Sequence, residues 1–198
     1  DYLRLVSDAH PFIGVSVSNL VADHTGNADK FRETMAEALD GMVDSTGMRV
    51  VFFAHVTGPH DSKDDRLEAS KVRELMEHAD SALILEEELA PQMLKGLIAM
   101  STVFVGCRMH ANIAALSSAV PTVAISYSHK SNGIMAMLDM NEFVLDSKNL
   151  TVKGLQMKIR ELLERRSYLH EVLSEKMVAV RSSSTLNFEL VEGLIREL

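Results

Sequence analysis

One cysteine, no tryptophan and four prolines stand in a chain of 198 residues. The lone Cys107 excludes an internal disulfide framework and fits a reducing compartment. No apolar run approaches the length of a membrane span, and no stretch has the layout of a signal peptide. Positive charge is scarce: 20 Lys and Arg against 28 Asp and Glu leave a formal net charge of −8. That balance argues against a nucleic-acid surface or an anionic membrane as partner. The phosphate-cradling motifs are missing too. SVSNLVADHTG follows the first apolar strand where GxGxxG would stand, and GxxxxGK(S/T) does not occur. GxSxG is also lacking, and Ser117 and Ser118 fall on a helix, so no nucleophile elbow is present.

What is there reads as one globular domain. Hydrophobic residues make up 46% of the chain and charged residues 24%, enough for a well-buried core. The chain opens without Met at DYLRLV, and the expectation is that it belongs to something longer. Apolar strands alternate with amphipathic helices: FIGVSVS (12–18), a helix over 28–44 behind an Asn27 cap, MRVVFFAHV (48–56), a polar loop (58–65), and a helix through Leu67, Val72, Leu75 and Met76. SALILEE (81–87), a short helix from Pro91, TVFVG, a helix after Arg108, PTVAIS, a helix near Met135 to Leu138 and FVLD (143–146) continue the pattern. Strands apolar on both faces imply a parallel sheet covered on both sides. The expected fold is therefore a three-layer α/β/α, Rossmann-like doubly wound sheet of about six strands. After Thr151 the pattern turns wholly helical, with Ser167 and Ser184 as caps of two further helices. Residues 1–198 are thus read as one domain, with 151–198 as its helical C-terminal extension.

Ligands of such sheets bind beyond the carboxyl ends of the strands, where the strand order reverses. Ser16, Ser18 and Asn19 stand at the first such end, His55 at the second, Glu87 at the third, Arg108 and His110 at the fourth, and Ser126 to Lys130, with His129, at the fifth. A helix starting near His110 adds unpaired N–H groups and a positive dipole end. Arg108 offers a planar fork and Lys130 a point charge, so these ends describe an anion site. His55, His60, Asp61, Asp64 and Asp65 lack a recognised ligand spacing and read as a solvated loop, so no metal is expected. Cys107 reads as a small buried hydrophobe, Tyr127 as a packing residue, and the twelve methionines as fillers of helical apolar faces.

The segment VFVGCRMHANIAALSSAVPTVAISYSHKSNGIM (103–135) resembles the signature of the polysaccharide pyruvyl transferase family. That signature runs Gly-x-Arg-x-His, a small-residue helix, Val-Pro and a strand ending in Tyr-x-x-Lys. Here these positions are Gly106, Arg108, His110, Val120, Pro121, Tyr127 and Lys130. The resemblance implies the donor-side half of a GT-B-like protein, without the N-terminal, acceptor-side half. It implies transfer of the pyruvyl group of phosphoenolpyruvate to a sugar of a cell-surface polysaccharide or its precursor, forming a ketal and releasing phosphate. Arg108 and His110 would then be catalytic, and Arg108, Lys130, Ser18, Asn19 and His129 would bind substrate. No cofactor is implied. The partners would be phosphoenolpyruvate and a saccharide acceptor, lipid-linked or free. The setting would be cytoplasmic, at the inner face of a membrane through biosynthetic partners.

Two other readings stay open on the residues alone. One is the half-domain of a nucleotide-sugar glycosyltransferase, in which the same cleft holds a diphosphate. The other is a non-catalytic binding or assembly module, self-associating as a homo-oligomer through residues 167–198.

Overall fold

The computed structural model describes residues 10–58, 63–127 and 129–196; within the last stretch, the side chains of 129–131, 187–190, 193, 194 and 196 are outside the description. Six strands form one sheet: β1 (Phe12–Ser16), β2 (Arg49–Phe52), β3 (Ala82–Ile84), β4 (Val103–Gly106), β5 (Thr122–Ser126) and β6 (Val144–Asp146). Their order is β3-β2-β1-β4-β5-β6, with every pairing parallel. The chain walks outward from β1 to β3, then returns to the far side of β1 for β4. The reversal therefore lies between β1 and β4, whose register sets Ser16 against Gly106.

The described helices are α1 (Asn19–His24), α2 (Ala28–Thr46), α3 (Asp65–Glu74), α4 (Pro91–Ile98), α5 (Met109–Leu116), α6 (His129–Met137), α7 (Val152–Glu164) and α8 (Arg166–Arg196). Two apolar clusters sandwich the sheet. Phe31, Met35, Leu39 and Met42 of α2, Val72 of α3, and Leu155, Ile159 and Leu162 of α7 share one cluster with Ile13, Val15, Val105 and Ile125. Leu97 and Ile98 of α4 and Ala111 and Ala115 of α5 share the other with Val51, Phe53 and Phe104. The three-layer α/β/α expectation holds.

Local chemistry explains the helix ends. Asn27 accepts the Lys30 N–H at 3.1 Å, and Gly47 closes α2 at φ 67°, a left-handed conformation that favours glycine. Thr151 caps α7 by accepting the Gly154 N–H. Other elements differ from the pattern reading. The 48–56 strand covers only Arg49–Phe52, and the helix expected near Met135 begins six residues earlier, at His129. Leu67 of α3 and Leu75, just past its end, are 42% and 49% exposed, while Asp65 and Glu68 face inward with Ala69 and Val72. Ser167 and Ser184 do not cap two helices; both lie within α8, which runs unbroken for 31 residues. Of the twelve methionines, Met35, Met42, Met76, Met135, Met140 and Met177 are buried, whereas Met93, Met100, Met137 and Met157 are exposed. No helix among the described residues is long and apolar enough to cross a membrane.

Candidate active site

β4 ends at Gly106 and its chain enters α5 through Cys107 and Arg108, with the Cys107 N–H donating to the Ser16 carbonyl at 2.7 Å. This bond extends the β1–β4 ladder past the sheet edge and fixes where Arg108 emerges. Arg108 occupies the N-cap position of α5 in an extended conformation, and its side chain does not cap. Its guanidinium instead reaches Asp65 at the start of α3: Nη2 donates to Oδ1 at 2.6 Å, and Nε to both carboxylate oxygens at 3.2 Å. Asp65 is no solvated loop residue, since its side chain is only 1% exposed. Its Oδ2 also accepts the His55 and Val56 N–H groups, and its own N–H donates to the Val56 carbonyl. One buried carboxylate thus ties the end of β2, the start of α3 and the β4–α5 junction together. The pairing answers the cost of burying the charge.

His110 follows in the first turn of α5 and is exposed. Opposite β4, the Ser16 and Ser18 hydroxyls are buried without a hydrogen-bond partner among the described residues. Ser18 precedes α1 in an extended conformation but makes no capping bond, and Asn19 opens α1 half-buried. Ser16 and Ser18 are therefore polar groups held at the sheet's reversal, where a ligand could use them. Tyr127 is 40% exposed, with its ring 5.2 Å from that of His24. His129 and Lys130 lie in the first turn of α6; their side chains are outside the described residues, as are His60 and Asp61. Burial pushes the Cys107 thiol up, with Asp65 adding to the effect, so Cys107 stays a protonated apolar filler. Among the described residues no group of His, Cys, Asp and Glu could hold a metal ion.

Beside His110 a cavity of about 450 Å³ opens between the ends of β2 and β3 and the helices α4 and α5. His55 and His110 both line it, with Glu87, Glu88 and Lys95 among the polar wall. Burial above all holds the His55 imidazole down at about 4, with the neighbouring His110 and Arg108 side chains adding to the effect. The imidazole is therefore neutral near pH 7, and its Nδ1 is buried without a partner among the described residues.

Sequence reasoning read Asp65 as a solvated loop residue and named His55 only as a polar group at a strand end. The signal for Asp65 was faint: an Asp-Asp pair at a helix start, where an acidic side chain suits the dipole but also suits plain solvent. Nothing in the local pattern shows that Arg108, 43 positions away, closes onto it.

The sequence profile of the polysaccharide pyruvyl transferase family matches residues 7–129, more than half of the chain. The amylovoran biosynthesis protein AmsJ of Erwinia amylovora is 23% identical over 170 residues, which is 85% of this chain and 40% of that protein. The chain thus spans less than half the length of this curated relative. An O-GlcNAc transferase mutant of Thermobaculum terrenum superposes with a TM-score of 0.56 at 14% identity, covering 96% of this chain and 36% of the other. A Listeria monocytogenes structure assigned as a UDP-N-acetylglucosamine 2-epimerase gives a TM-score of 0.60 at 14% identity, covering 94% and 48%. At such identity the two structures speak for the Rossmann-like, GT-B-like fold alone.

Proposed function

This chain belongs to the polysaccharide pyruvyl transferase family, and from that premise we propose that it is the donor-binding part of an enzyme that modifies a polysaccharide with pyruvyl groups. The observation that carries the reading is the β4–α5 junction. It lies within the matched region and brings Arg108 and His110 to the carboxyl edge of the sheet, next to its reversal. The donor in this reading is phosphoenolpyruvate, bearing a phosphate and a carboxylate. The α5 N-terminus, Lys130 and the buried Ser16 and Ser18 hydroxyls would receive it, with Asn19 and His129 at its margin. Arg108 has its Nε and Nη2 committed to Asp65, so it would offer Nη1 and its charge rather than a whole fork.

The transfer balances as follows. Two C–O bonds form from acceptor hydroxyls to the enol carbon, and the bond from that carbon to the phosphate oxygen breaks. Of the two hydroxyl protons, one ends on the methylene carbon, making it methyl, and the other on the departing phosphate. A side chain that accepts and returns a proton near neutral pH suits both steps, and His110 is the candidate. Acceptor hydroxyls must also be held against the donor, and the rest of the longer protein would share that task.

Thermal unfolding of this chain with added ligands tests the reading. Phosphoenolpyruvate at about ten times its dissociation constant should stabilise by roughly 1.4 kcal/mol, a shift of a few degrees. Inorganic phosphate should act more weakly, and Lys130→Ala should remove the phosphoenolpyruvate shift. A larger shift with a nucleoside diphosphate than with phosphoenolpyruvate would replace this reading with nucleotide-sugar transfer.

A further inference from the structure

We propose that Asp65 is a positioning residue for the anion at the β4–α5 junction: it sets which end of Arg108 a ligand meets, and its charge keeps the hold on released phosphate loose. The inference rests on the donor reading above and adds to it a residue that tunes the same site.

Arg108 is aimed from both of its ends. Its backbone is fixed where the Cys107 N–H continues the β1–β4 ladder onto the Ser16 carbonyl. Its side chain is fixed at Asp65, which accepts from Nε and Nη2. What remains for a ligand is the Nη1 end, on a side chain that is 19% exposed. Asp65 does not swing with an arriving ligand. The His55 and Val56 N–H groups donate to its Oδ2 at 3.2 and 3.0 Å, and its own N–H donates to the Val56 carbonyl at 2.8 Å. The guanidinium is thus ordered before an anion arrives, so binding costs little side-chain freedom.

The same contact changes what the anion meets electrically. A phosphate at Nη1 faces a guanidinium whose charge is already matched by a carboxylate, rather than a bare cation. That carboxylate is 1% exposed, so water and salt screen little of its repulsion. The other groups at the junction are neutral donors. Arg108 leaves the α5 N-terminus without a side-chain cap, and the Ser16 and Ser18 hydroxyls have no partner among the described residues. The proposed transfer leaves inorganic phosphate in the site, and a site that grips its product tightly turns over slowly. An Arg108 held and neutralised by Asp65 places the donor phosphate without retaining the product.

Calorimetric titration of the 198-residue chain with inorganic phosphate and with phosphoenolpyruvate tests this, in about 0.1 M salt to screen remote charges. Asp65→Asn keeps an acceptor for the guanidinium and drops the charge, so phosphate should bind at least about five-fold more tightly than to the parent chain. A clamp that served the fold alone would leave phosphate binding unchanged or weaker, so the sign of the change separates the two roles. Asp40→Asn removes the same charge from a carboxylate that accepts the Glu77 and His78 N–H groups ahead of β3, and should alter phosphate affinity by less than about two-fold. Should Asp65→Asn fail to fold, a neutral pair carries the test. Arg108→Gln should weaken phosphate binding by leaving the carboxylate unopposed, and adding Asp65→Asn should restore it at least about three-fold. Unchanged or weaker phosphate binding in folded Asp65→Asn, an equal gain in Asp40→Asn, or no recovery in the double variant overturns the proposal. A parent chain that binds neither anion overturns the donor reading and this proposal with it. A parent chain that binds phosphoenolpyruvate, with phosphate affinity unmoved by Asp65→Asn, overturns the role of Asp65 alone.

Discussion

Arg108 does two things that pull against each other. Its charge suits an anionic donor, yet its guanidinium neutralises Asp65, a carboxylate with 1% of its side chain exposed. Removing one partner of such a pair strands the other without compensation, which costs on the order of 3–5 kcal/mol. Arg108→Ala should therefore destabilise the fold by about 3 kcal/mol, less than a bare buried charge would cost, because the His55 and Val56 N–H groups still face Asp65. In a double-mutant cycle by urea denaturation, Arg108→Ala with Asp65→Asn should cost at least about 1 kcal/mol less than the sum of the single changes. Additive effects would mean that the ion pair contributes nothing to the fold and that Arg108 is held there by other contacts. The cycle also bears on function: any loss of donor binding in an Arg108 variant has to be separated from loss of this clamp.

At the scale of elements, the β4–α5 junction owes its shape to a glycine. A Cβ on Gly106 would overlap the buried Asn112 side chain, whose Nδ2 donates to the Gly106 carbonyl at 3.2 Å, and would also crowd Phe104. The first turn of α5 can therefore lie close over the strand end only while position 106 has no side chain. Gly106→Ala should cost about 1–3 kcal/mol from overpacking. Thermal denaturation should show part of that loss recovered when Asn112→Ala is added, because the overlapping group is then gone. Equal melting temperatures for Gly106→Ala and the parent chain would refute the steric role. The α3 helix shows the opposite case, where packing overrules pattern. Leu67 faces solvent while Asp65 and Glu68 turn inward, where Asp65 takes Arg108 and Glu68 takes Arg32 through bonds of 2.8 and 3.0 Å.

In the whole molecule, α8 divides into two parts. Leu169, Leu173 and Met177 bury into the core, and Arg181 Nη2 donates to the Ser117 carbonyl at 3.3 Å. Residues 181–186 are exposed throughout, and Val191 and Ile195 are exposed beyond them. Truncation after Arg181 should therefore shift the melting temperature by no more than about 3 °C, equivalent to about 1 kcal/mol. Truncation after Arg165 removes three buried apolar side chains worth about 2 kcal/mol each, comparable to the stability of a typical domain. That chain should fail to unfold cooperatively in calorimetry. If the two truncations behave alike, the division of α8 is wrong.

The order of strands and helices was legible in the sequence, because each strand's apolar run and each helix's 3.6-residue stripe is a local signal. Asn27, Pro91 and Thr151 marked element ends for the same reason: a cap acts on backbone groups two to four residues away. The sequence also placed Gly106, Arg108 and His110 together at one strand end, since three positions within five residues move as a unit. What it left undecided are contacts made across the fold. That Asp65 closes on Arg108, that His55 shares a cavity with His110, and that Glu68 turns inward are set by helices and strands distant in sequence. A buried carboxylate and a solvated one are the same letter in the chain. Only the three-dimensional arrangement of α3, β2 and the β4–α5 junction decides which partner each charge meets.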